Sequence, residues 1–282
     1  MQDEYDYIVV GSGAGGGPLA ANLAKAGFCV LLLEAGGDSE PPNYAVPAFH
    51  PFATEDPALK WDYFVRHYEN NDRSQRDDKF VTDEDGVLYP RAGTLGGCTA
   101  HHAMITVYPH DRDWDEIAQV TDDKSWSAAN MRLYFQRLER KENRLWSRFV
   151  YRLTGRNIGR RGYDGWLPVS FASPTQLLGS PRLLRLVLQA GFRAHNVDFP
   201  GTRTFVGRLL HLFATARNLN DWAPGRAARR GVKMVPVSIF RGRRWGVREL
   251  LRETMTNWPE RLHVELHALA CSVVFEDVRG EP

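Results

Sequence analysis

The chain has 282 residues, of which 43% are hydrophobic, 25% charged and 11% aromatic. This composition is ordinary for a globular protein and excludes a collagen-like, coiled-coil or wholly disordered chain. The longest apolar run, Phe28 to Leu33, is too short to cross a bilayer, so we predict no transmembrane segment. The first residues, MQDEYDY, are acidic, which argues against a signal peptide. Three cysteines without paired or metal-type spacing favour a reducing compartment, and we expect a cytoplasmic protein.

The charge is unevenly distributed, although the net charge is only +2. Residues 1–141 carry 13 basic and 23 acidic side chains, whereas residues 142–282 carry 23 basic and 11 acidic ones. A basic half is compatible with a polyanion partner, but aromatic side chains are not interleaved with the basic ones as in an RNA-binding sheet. We therefore expect two differently charged faces or an acidic neighbouring segment, and no nucleic-acid partner.

The first 35 residues predict a strand, a helix and a second strand. Tyr7 to Val10 is a short β-rich apolar run that glycines follow at once. Leucines and alanines at helical spacing continue to about Gly27. Phe28 to Leu33 is then a continuous apolar run, which is typical of a buried parallel strand. Such a unit requires a crossover connection in a parallel sheet, so we predict an α/β fold.

A glycine-rich turn joins the first strand to the helix, with the sequence Gly11-Ser12-Gly13-Ala14-Gly15-Gly16. In this context Gly11 permits the tight turn, Gly13 lets backbone approach a pyrophosphate, and Gly16 lets the helix pack on the sheet. The helix N-terminus supplies N–H groups for the phosphate charge. Glu34 lies 18 residues past Gly16 and can accept hydrogen bonds from ribose hydroxyls, but it would repel a 2′-phosphate. The segment predicts a Rossmann-like dinucleotide-binding domain and argues against NADP.

The remaining chain gives weaker predictions. Five prolines between residues 36 and 60 predict an irregular lid or binding loop, and residues 69–86 predict a polar surface excursion. A connector is expected over residues 144–165. Further helices are predicted after Asp111, after Ser125 or Ser127, after Ser180, and over Val247 to Asn257. Further strands are predicted over Val87 to Arg91, Leu167 to Phe171, and Leu262 to Ala270 with a continuation to Phe275.

A second glycine cluster lies in Tyr89-Pro90-Arg91-Ala92-Gly93-Thr94-Leu95-Gly96-Gly97-Cys98-Thr99-Ala100-His101-His102-Ala103-Met104-Ile105. It resembles the first signature of the glucose–methanol–choline (GMC) oxidoreductase family, in which an L-G-G cluster leads to a Ser/Thr-rich step and an Asn or His. Leu33-Glu34-Ala35-Gly36-Gly37 is similar to the flavoprotein form of the acidic segment, and Trp61-Asp62-Tyr63 also matches. The resemblance runs from residue 5 to at least residue 276, and it is to the choline dehydrogenase-like members of the family.

The resemblance implies FAD as the cofactor. Cys98, His102, Ala103 and Met104 would lie along the flavin and its diphosphate, and Ala270 at the adenine edge. Gly96 and Gly97 let backbone approach a flat ring or a phosphate, and Thr99 can cap a helix start there. The expected cofactor-binding residues are Gly11, Ser12, Gly13, Ala14, Gly16, Glu34, Ala35, Trp61, Arg91, Gly93, Gly96, Gly97, Cys98, Thr99, His101, His102, Ala103, Met104 and Ala270.

His101 stands at a position that is aliphatic in most members of the family. In some members a histidine there carries a covalent bond to the flavin, and a neutral imidazole nitrogen could attack the 8α-methyl group. The alternative is a buried, hydrogen-bonded histidine beside a non-covalently held FAD. The sequence leaves both open, and the other histidines have no metal-ligand spacing.

The family passes a carbon-bound hydride of an alcohol to flavin N5 while a histidine, paired with a second His or Asn, takes the hydroxyl proton. That pair lies near the C-terminal end of a longer chain, beyond residue 282, and no residue here matches it. We expect the N-terminal portion of an FAD-dependent alcohol dehydrogenase or oxidase that acts on a small-molecule alcohol and is inactive alone. The alternatives are a non-catalytic flavin- or ADP-binding module and an NAD-dependent Rossmann dehydrogenase.

The resemblance also implies a division into domains. Residues 1–145 and 231–282 would form the FAD-binding domain, because both glycine clusters and the strands predicted near residues 262–276 match pieces of such a domain. Residues 146–230 match none of these pieces and would begin a substrate-binding domain.

Overall fold

The computed structural model describes residues 4–141, 149, 153, 162–171, 179–198, 204, 206, 217–220 and 233–274. Two compact units are present, one formed by residues 1–104 and 242–282 and the other by residues 105–241. The domain boundaries expected from the sequence stay a prediction. None of the helices in the described part of the chain is long and apolar enough to span a membrane.

The secondary structure alternates between strands and helices. The strands are β1 (Tyr7–Val10), β2 (Val30–Leu33), β3 (Lys60–Trp61), β4 (Phe64–Val65), β5 (Phe80–Val81), β6 (Gly86–Leu88), β7 (Arg91–Ala92), β8 (Glu139–Lys141), β9 (Leu167–Phe171), β10 (Arg217–Asn218), β11 (Lys233–Met234), β12 (Pro236–Val237), β13 (Ile239–Phe240), β14 (Arg243–Arg244) and β15 (Leu262–Glu265). The α-helices are α1 (Gly16–Lys25), α2 (Pro42–Ala45), α3 (His50–Ala53), α4 (Asn71–Gln75), α5 (Asp111–Thr121), α6 (Ala128–Leu138), α7 (Pro181–Asp198) and α8 (Val247–Asn257).

The first unit is built on a parallel sheet with the strand order β1–β2–β15. Tyr7 of β1 and Leu262 of β15 both stand opposite Val30 of the central strand. Helix α1 connects β1 to β2, which confirms the predicted strand–helix–strand unit and the α/β fold. A parallel ladder needs such a crossover, because a short turn cannot return the chain to the same end of the sheet.

Helices α1 and α8 pack against each other and against this sheet. The contact between them is close because Gly17 of α1 lies against Val247 of α8, where a Cβ atom at residue 17 would collide with the valine side chain. Ala20 and Ala21 of α1 and Leu251 of α8 are fully buried. Small residues on one helix and branched residues on the other thus form the core on one face of the sheet.

The opposite face of the sheet is open in the described residues. Val9 is only 9% exposed, whereas its neighbours Ile8 and Val10 are 62% and 63% exposed. Successive residues of a strand point to opposite faces, so Ile8 and Val10 lie on the face away from the buried Val9. Parallel sheets are normally covered on both faces. Among the described residues, only one face of this sheet is covered.

The loop between residues 36 and 60 is more regular than its prolines predicted. It contains α2, a 3₁₀ turn over Pro47–Phe49, and α3, and each has a proline at its first or second position. Proline is compatible with the first turn of a helix because its missing N–H group has no partner there anyway. The expectation that these prolines would prevent regular structure was therefore wrong.

Two further predictions need correction. The predicted strand over Leu262 to Ala270 ends at Glu265, and His267 adopts a left-handed conformation with a φ of 57°. Helix α5 is capped by His110 rather than by Asp111, since the His110 ring accepts the N–H of Arg112. The predicted continuation to Phe275 and most of the predicted connector over residues 144–165 lie outside the described residues.

The second unit contains a sheet in which β9 pairs in parallel with β8 and antiparallel with β12. Helices α5 and α6 pack against each other, and Trp114 stacks on Trp126 with ring centroids 6.4 Å apart. Tyr108 lies against Phe135 at 5.0 Å. Aromatic packing therefore joins the helices of this unit. Helix α6 begins at Ala128, which confirms the helix predicted after Ser127.

Candidate cofactor-binding site

The two glycine-rich segments meet in the first unit. Gly97 has a φ of 55°, and a Cβ atom there would lie 2.7 Å from the Cα atom of Gly13. Only glycine satisfies both the left-handed conformation and this close approach without strain. The buried hydroxyl of Ser12 accepts the N–H of Gly96 at 2.9 Å. The first and second glycine clusters therefore form one surface.

Glu34 holds the first glycine turn from the end of β2. Its carboxylate accepts the backbone N–H of Ser12 at 3.0 Å, the Ser12 hydroxyl, and the N–H of Gly36 at 2.9 Å. The side chain is only 7% exposed. The sequence predicted Glu34 as a ribose acceptor, and the structure adds an internal role that the sequence did not reveal. The hydroxyl at the second position of the G-x-G turn was the signal for it.

The segment after Glu34 joins the same cluster. Gly36 lies against the carbonyl group of Gly93 so closely that a Cβ atom would collide with it. Gly37 accepts the N–H of Leu95 at 2.8 Å. On the other side, the N–H of Ala268 donates to the carbonyl of Glu34 at 2.9 Å. Ala35 thus lies between two hydrogen-bonded segments, whereas Ala270 lies beyond the end of β15 and is exposed.

Trp61, Arg91 and Gly93 come together beside this cluster. Trp61 of β3 stands opposite Arg91 of β7. The Trp61 indole covers Gly93, where a Cβ atom would collide with the ring. The Arg91 guanidinium lies 4.5 Å from the ring centre of Tyr89. These three expected site residues therefore form a second small group that is connected to the glycine surface through Gly93.

The start of α1 leaves room for a ligand. Cβ atoms built on Gly13 and Gly15 would meet nothing within 4 Å, and Ala14 is exposed. The first N–H groups of a helix have no partner inside it, and the backbone N–H groups of Ala14 and Gly15 donate to no acceptor among the described residues. Free N–H groups at the positive end of a helix favour an anion such as a phosphate.

The second cluster continues as a single 3₁₀ turn over Gly97–Ala100. The sequence predicted that Thr99 caps this turn, but the N-cap residue is Gly96. Instead the Thr99 hydroxyl donates to the Gly96 carbonyl at 2.6 Å and accepts the N–H of Val247 at 3.3 Å, so it binds the first residue of α8. Cys98 is exposed on this turn. Ala103 is half-buried, and Met104 is buried with a φ of 60°.

The two histidines after this turn are held in the neutral state. Burial, with the nearby charges of Arg244, His101 and His50, lowers the pKa of His102 to about 4. The His102 Nδ1 atom accepts the N–H of Met104 at 2.8 Å, so the proton of the neutral ring is on Nε2. Burial, with Arg244 and Arg91, also lowers the pKa of His101.

Sequence reasoning missed a group of arginines that surrounds Tyr44. The buried Arg248 forms ion pairs with Asp38 and with Glu40, the latter at 3.1 Å. The Tyr44 hydroxyl donates to Glu249 at 2.5 Å, and the guanidinium groups of Arg244 and Arg248 lie over its ring at 5.5 and 5.1 Å. These contacts attach the loop after β2 to the start of α8.

A metal centre finds no support. Within the described ranges, no group of three or more His, Cys, Asp or Glu side chains is arranged to hold a metal ion. The open N-terminus of α1 suits an anionic group such as a phosphate.

Comparison with known proteins assigns the chain to a class. No protein-family model matches it. It is 26% identical over 283 residues to oxygen-dependent choline dehydrogenase of Rhizobium etli, a match that covers 98% of this chain and 41% of that protein. It is 31% identical over 204 residues to oxygen-dependent choline dehydrogenase of Pseudomonas syringae pv. tomato, with coverage of 71% and 31%. The chain thus spans less than half the length of these relatives.

Solved structures agree on the fold. Pyridoxine 4-oxidase from Mesorbium loti superimposes with a TM-score of 0.65 at 20% identity, covering 94% of this chain and 42% of that one. A formate oxidase of Aspergillus oryzae, whose structure concerns FAD modification, superimposes with a TM-score of 0.62 at 18% identity, covering 93% and 38%. The chain has the fold of flavin-dependent oxidoreductases. Its sequence is similar to choline dehydrogenases and its fold is similar to oxidases of the GMC type, and it covers about 40% of their length.

The Ser12 hydroxyl gives a first prediction. Ser12→Ala should lower the free energy of unfolding by about 1–3 kcal/mol, because the buried N–H of Gly96 loses its acceptor and Glu34 loses a donor. Urea unfolding followed by circular dichroism measures the change. Thr256→Val removes an exposed hydroxyl of α8 and is the control, with an expected change below about 0.5 kcal/mol. An equal loss in both variants would contradict the role of Ser12.

His102 gives a prediction on pH. Its folded pKa of about 4 lies below the unfolded value of about 6.5, so between these values the unfolded chain binds a proton that the folded ring does not. The free energy of unfolding should therefore fall as the pH falls through this window, by on the order of 2 kcal/mol after screening of the partly exposed ring.

His102→Asn should remove much of this dependence. The Asn side-chain oxygen can accept the N–H of Met104 in place of Nδ1 and does not titrate. Urea unfolding at several pH values compares the variant with the wild type, and His267→Asn in the same unit is the matched control. A pH dependence as steep in His102→Asn as in the wild type would show that His102 is not responsible.

Proposed function

We propose that the chain supplies the FAD-binding portion of an FAD-dependent oxidoreductase that acts on the CH–OH group of a small-molecule alcohol. The observation that carries the proposal is the contact between the two glycine clusters, in which Gly97 lies against Gly13 and Gly96 donates to Ser12. A nucleotide-binding turn alone would suit many dinucleotides. Its direct junction with a second glycine-rich turn and two neutral histidines suits a longer ligand that bears a flavin.

The residues present fit FAD. The free N–H groups and the open space at Gly13 and Gly15 suit the diphosphate, with Gly11, Ala14 and Gly16 shaping the turn. Two buried polar atoms near the second cluster, Nε2 of His101 and Nη2 of Arg244, have no hydrogen-bond partner among the described residues. Unpaired buried polar atoms are rare in folded proteins, and those at a ligand site are commonly paired when the ligand is bound.

The other roles extend this proposal. We assign Glu34 and Ala35 to the ribose, Ala270 to the adenine edge, and the Trp61, Arg91 and Gly93 group, with residues 96–104, to the flavin side. We also propose that residues 1–145 and 231–282 form the FAD-binding domain and that residues 146–230 begin a substrate domain. Three free cysteines support a reducing, cytoplasmic compartment.

Bound FAD would supply the acceptor for the hydride of the alcohol carbon. The chain's own residues bind and orient it, and the Nε2–H group of His102 is a fixed, uncharged hydrogen-bond donor beside the second cluster.

Ligand choice tests the proposal. Isothermal titration calorimetry should show binding of FAD and weaker binding of ADP, because ADP engages only the first cluster. NAD and NADP should bind much more weakly than FAD, since neither carries an isoalloxazine ring for the second cluster. Equal affinity for FAD and ADP would favour a plain ADP-binding module. Preference for NAD would favour a nicotinamide-dependent dehydrogenase and overturn the proposal.

His101 decides how FAD is held. Its Nε2 atom is buried and unpartnered, and burial together with Arg244 and Arg91 lowers the ring's pKa. An uncharged ring with a free nitrogen can bond to the 8α-carbon of oxidised FAD. An 8α C–H proton would then be lost and the bond's two electrons would reduce the isoalloxazine ring, which dioxygen would reoxidise. We propose this attachment in preference to a hydrogen-bonded histidine. After loading with FAD and precipitation in acid, flavin absorbance should stay with the wild-type chain and be released from His101→Ala. Release of all flavin from the wild type would exclude the bond without affecting the assignment of FAD.

A further inference from the structure

Arg244 is the most buried cation among the described residues of the first unit. Its side chain is part of a residue that is 2% exposed, and three backbone carbonyls accept its N–H groups. Nε donates to Tyr44 at 3.1 Å, and Nη1 donates to His102 at 2.6 Å and to Thr99 at 3.4 Å. One guanidinium therefore ties the loop after β2 to both ends of the short segment that carries the two histidines.

The burial of the Arg244 charge is unfavourable for the stability of the folded chain. Arg243 pairs with Glu40 and Arg248 with Asp38, but no carboxylate of the described residues lies within ion-pair distance of Arg244. Burial lowers the pKa of Arg244, and the more distant Tyr44 and Glu249 groups oppose this effect only in part. A buried charge without a directly paired counter-ion is unfavourable, and apolar residues of similar size often replace even paired charges without loss of stability.

The geometry of the histidine segment explains what the cation does there. The Thr99 and His102 carbonyls bracket His101, so fixing both carbonyls fixes the backbone from which both rings project. The next turn is set by the N–H of Met104, which donates back to the His102 ring while Met104 adopts a φ of 60°. A left-handed methionine is an unusual conformation that its surroundings must enforce.

We propose that Arg244 is a positioning residue of the FAD site, which fixes the carbonyls of Thr99 and His102 and thereby the placement of the His101 and His102 rings. This inference rests on the proposed function for the identity of the ligand, but not for the effect on the rings. The charge has a second consequence, because a cation beside the imidazoles opposes their protonation. The other groups that act on His102 are His101 and His50, and Arg91 also acts on His101.

Three variants separate these effects. Arg244→Met removes the charge and all three hydrogen bonds while keeping a long apolar side chain. Arg244→Lys keeps the charge but cannot hold several carbonyls in a fixed fork. Arg243→Met removes the neighbouring arginine, whose side chain is 62% exposed and pairs with Glu40, and is the matched control.

The first measurement is an NMR titration of the histidine rings in the cofactor-free chain. The pKa of His102 should be near 4 in the wild type and in Arg243→Met, and should rise in Arg244→Met while staying below its ordinary value, because burial is the larger cause of the shift. It should stay low in Arg244→Lys. A residue that only stabilised the fold would change the unfolding midpoint without moving this titration. An unchanged His102 titration in folded Arg244→Met would overturn the electrostatic part of the inference.

The second measurement is the FAD affinity of the same proteins. Arg244→Lys should bind FAD about tenfold more weakly than the wild type, since the lost carbonyl contacts are comparable to one hydrogen bond to a charged group. Arg243→Met should bind as the wild type does. Equal affinity in Arg244→Lys and the wild type would overturn the positioning role, and this variant answers the question even if Arg244→Met does not fold. Failure of every protein to bind FAD would instead reject the proposed function and leave the NMR result standing.

Discussion

The first unit depends on one buried hydroxyl, that of Ser12. It joins Glu34, which is 22 residues away in the sequence, to Gly96, which is 84 residues away. The three segments come from the ends of two strands and from a distant loop, and the residues that meet there, Ser12, Glu34 and Gly96, have no apolar side chain of their own. Hydrogen bonds between buried groups are therefore the interactions that set the shape of the glycine surface.

A second layer of charges supports this surface from α8. Arg248 binds the loop after β2 through Asp38 and Glu40, and Arg244 binds the same loop through the Tyr44 carbonyl. Arg244, which lies in β14 just before α8, also reaches the histidine segment, so residues 244–248 contact both sides of the candidate site. The close packing of α1 on α8 then connects the helix that follows the first glycine turn to these arginines. A change at any of these points is expected to affect the whole site.

Local sequence patterns predicted the parts of the fold that depend on local interactions. The strand–helix–strand unit and the G-x-G-x-x-G turn follow from apolar periodicity and glycine placement within a single segment. The contact of Ser12 with Gly96 and the contacts of Arg244 join residues more than 80 positions apart, so no local pattern could reveal them. Thr99 was expected to cap its own helix, but its hydroxyl instead serves α8.

The strand after α8 illustrates the same limit. Alternating apolar residues predicted pairing to Ala270, yet the N–H groups of His267 and Ala268 turn to the carbonyls of Gly36 and Glu34. Alternation describes which face a side chain would occupy, and it does not say where the backbone leaves the sheet. Here the competing hydrogen bonds come from the loop that carries the candidate ribose-binding segment, so the error falls at the site itself.

Hydrogen–deuterium exchange with and without FAD tests most directly whether the two glycine clusters form one flavin site. We expect FAD to slow amide exchange in peptides covering residues 11–16 and residues 96–104 together, whereas ADP should protect only the first. Protection by FAD that is confined to residues 11–16 and matched by ADP would contradict a joint flavin site.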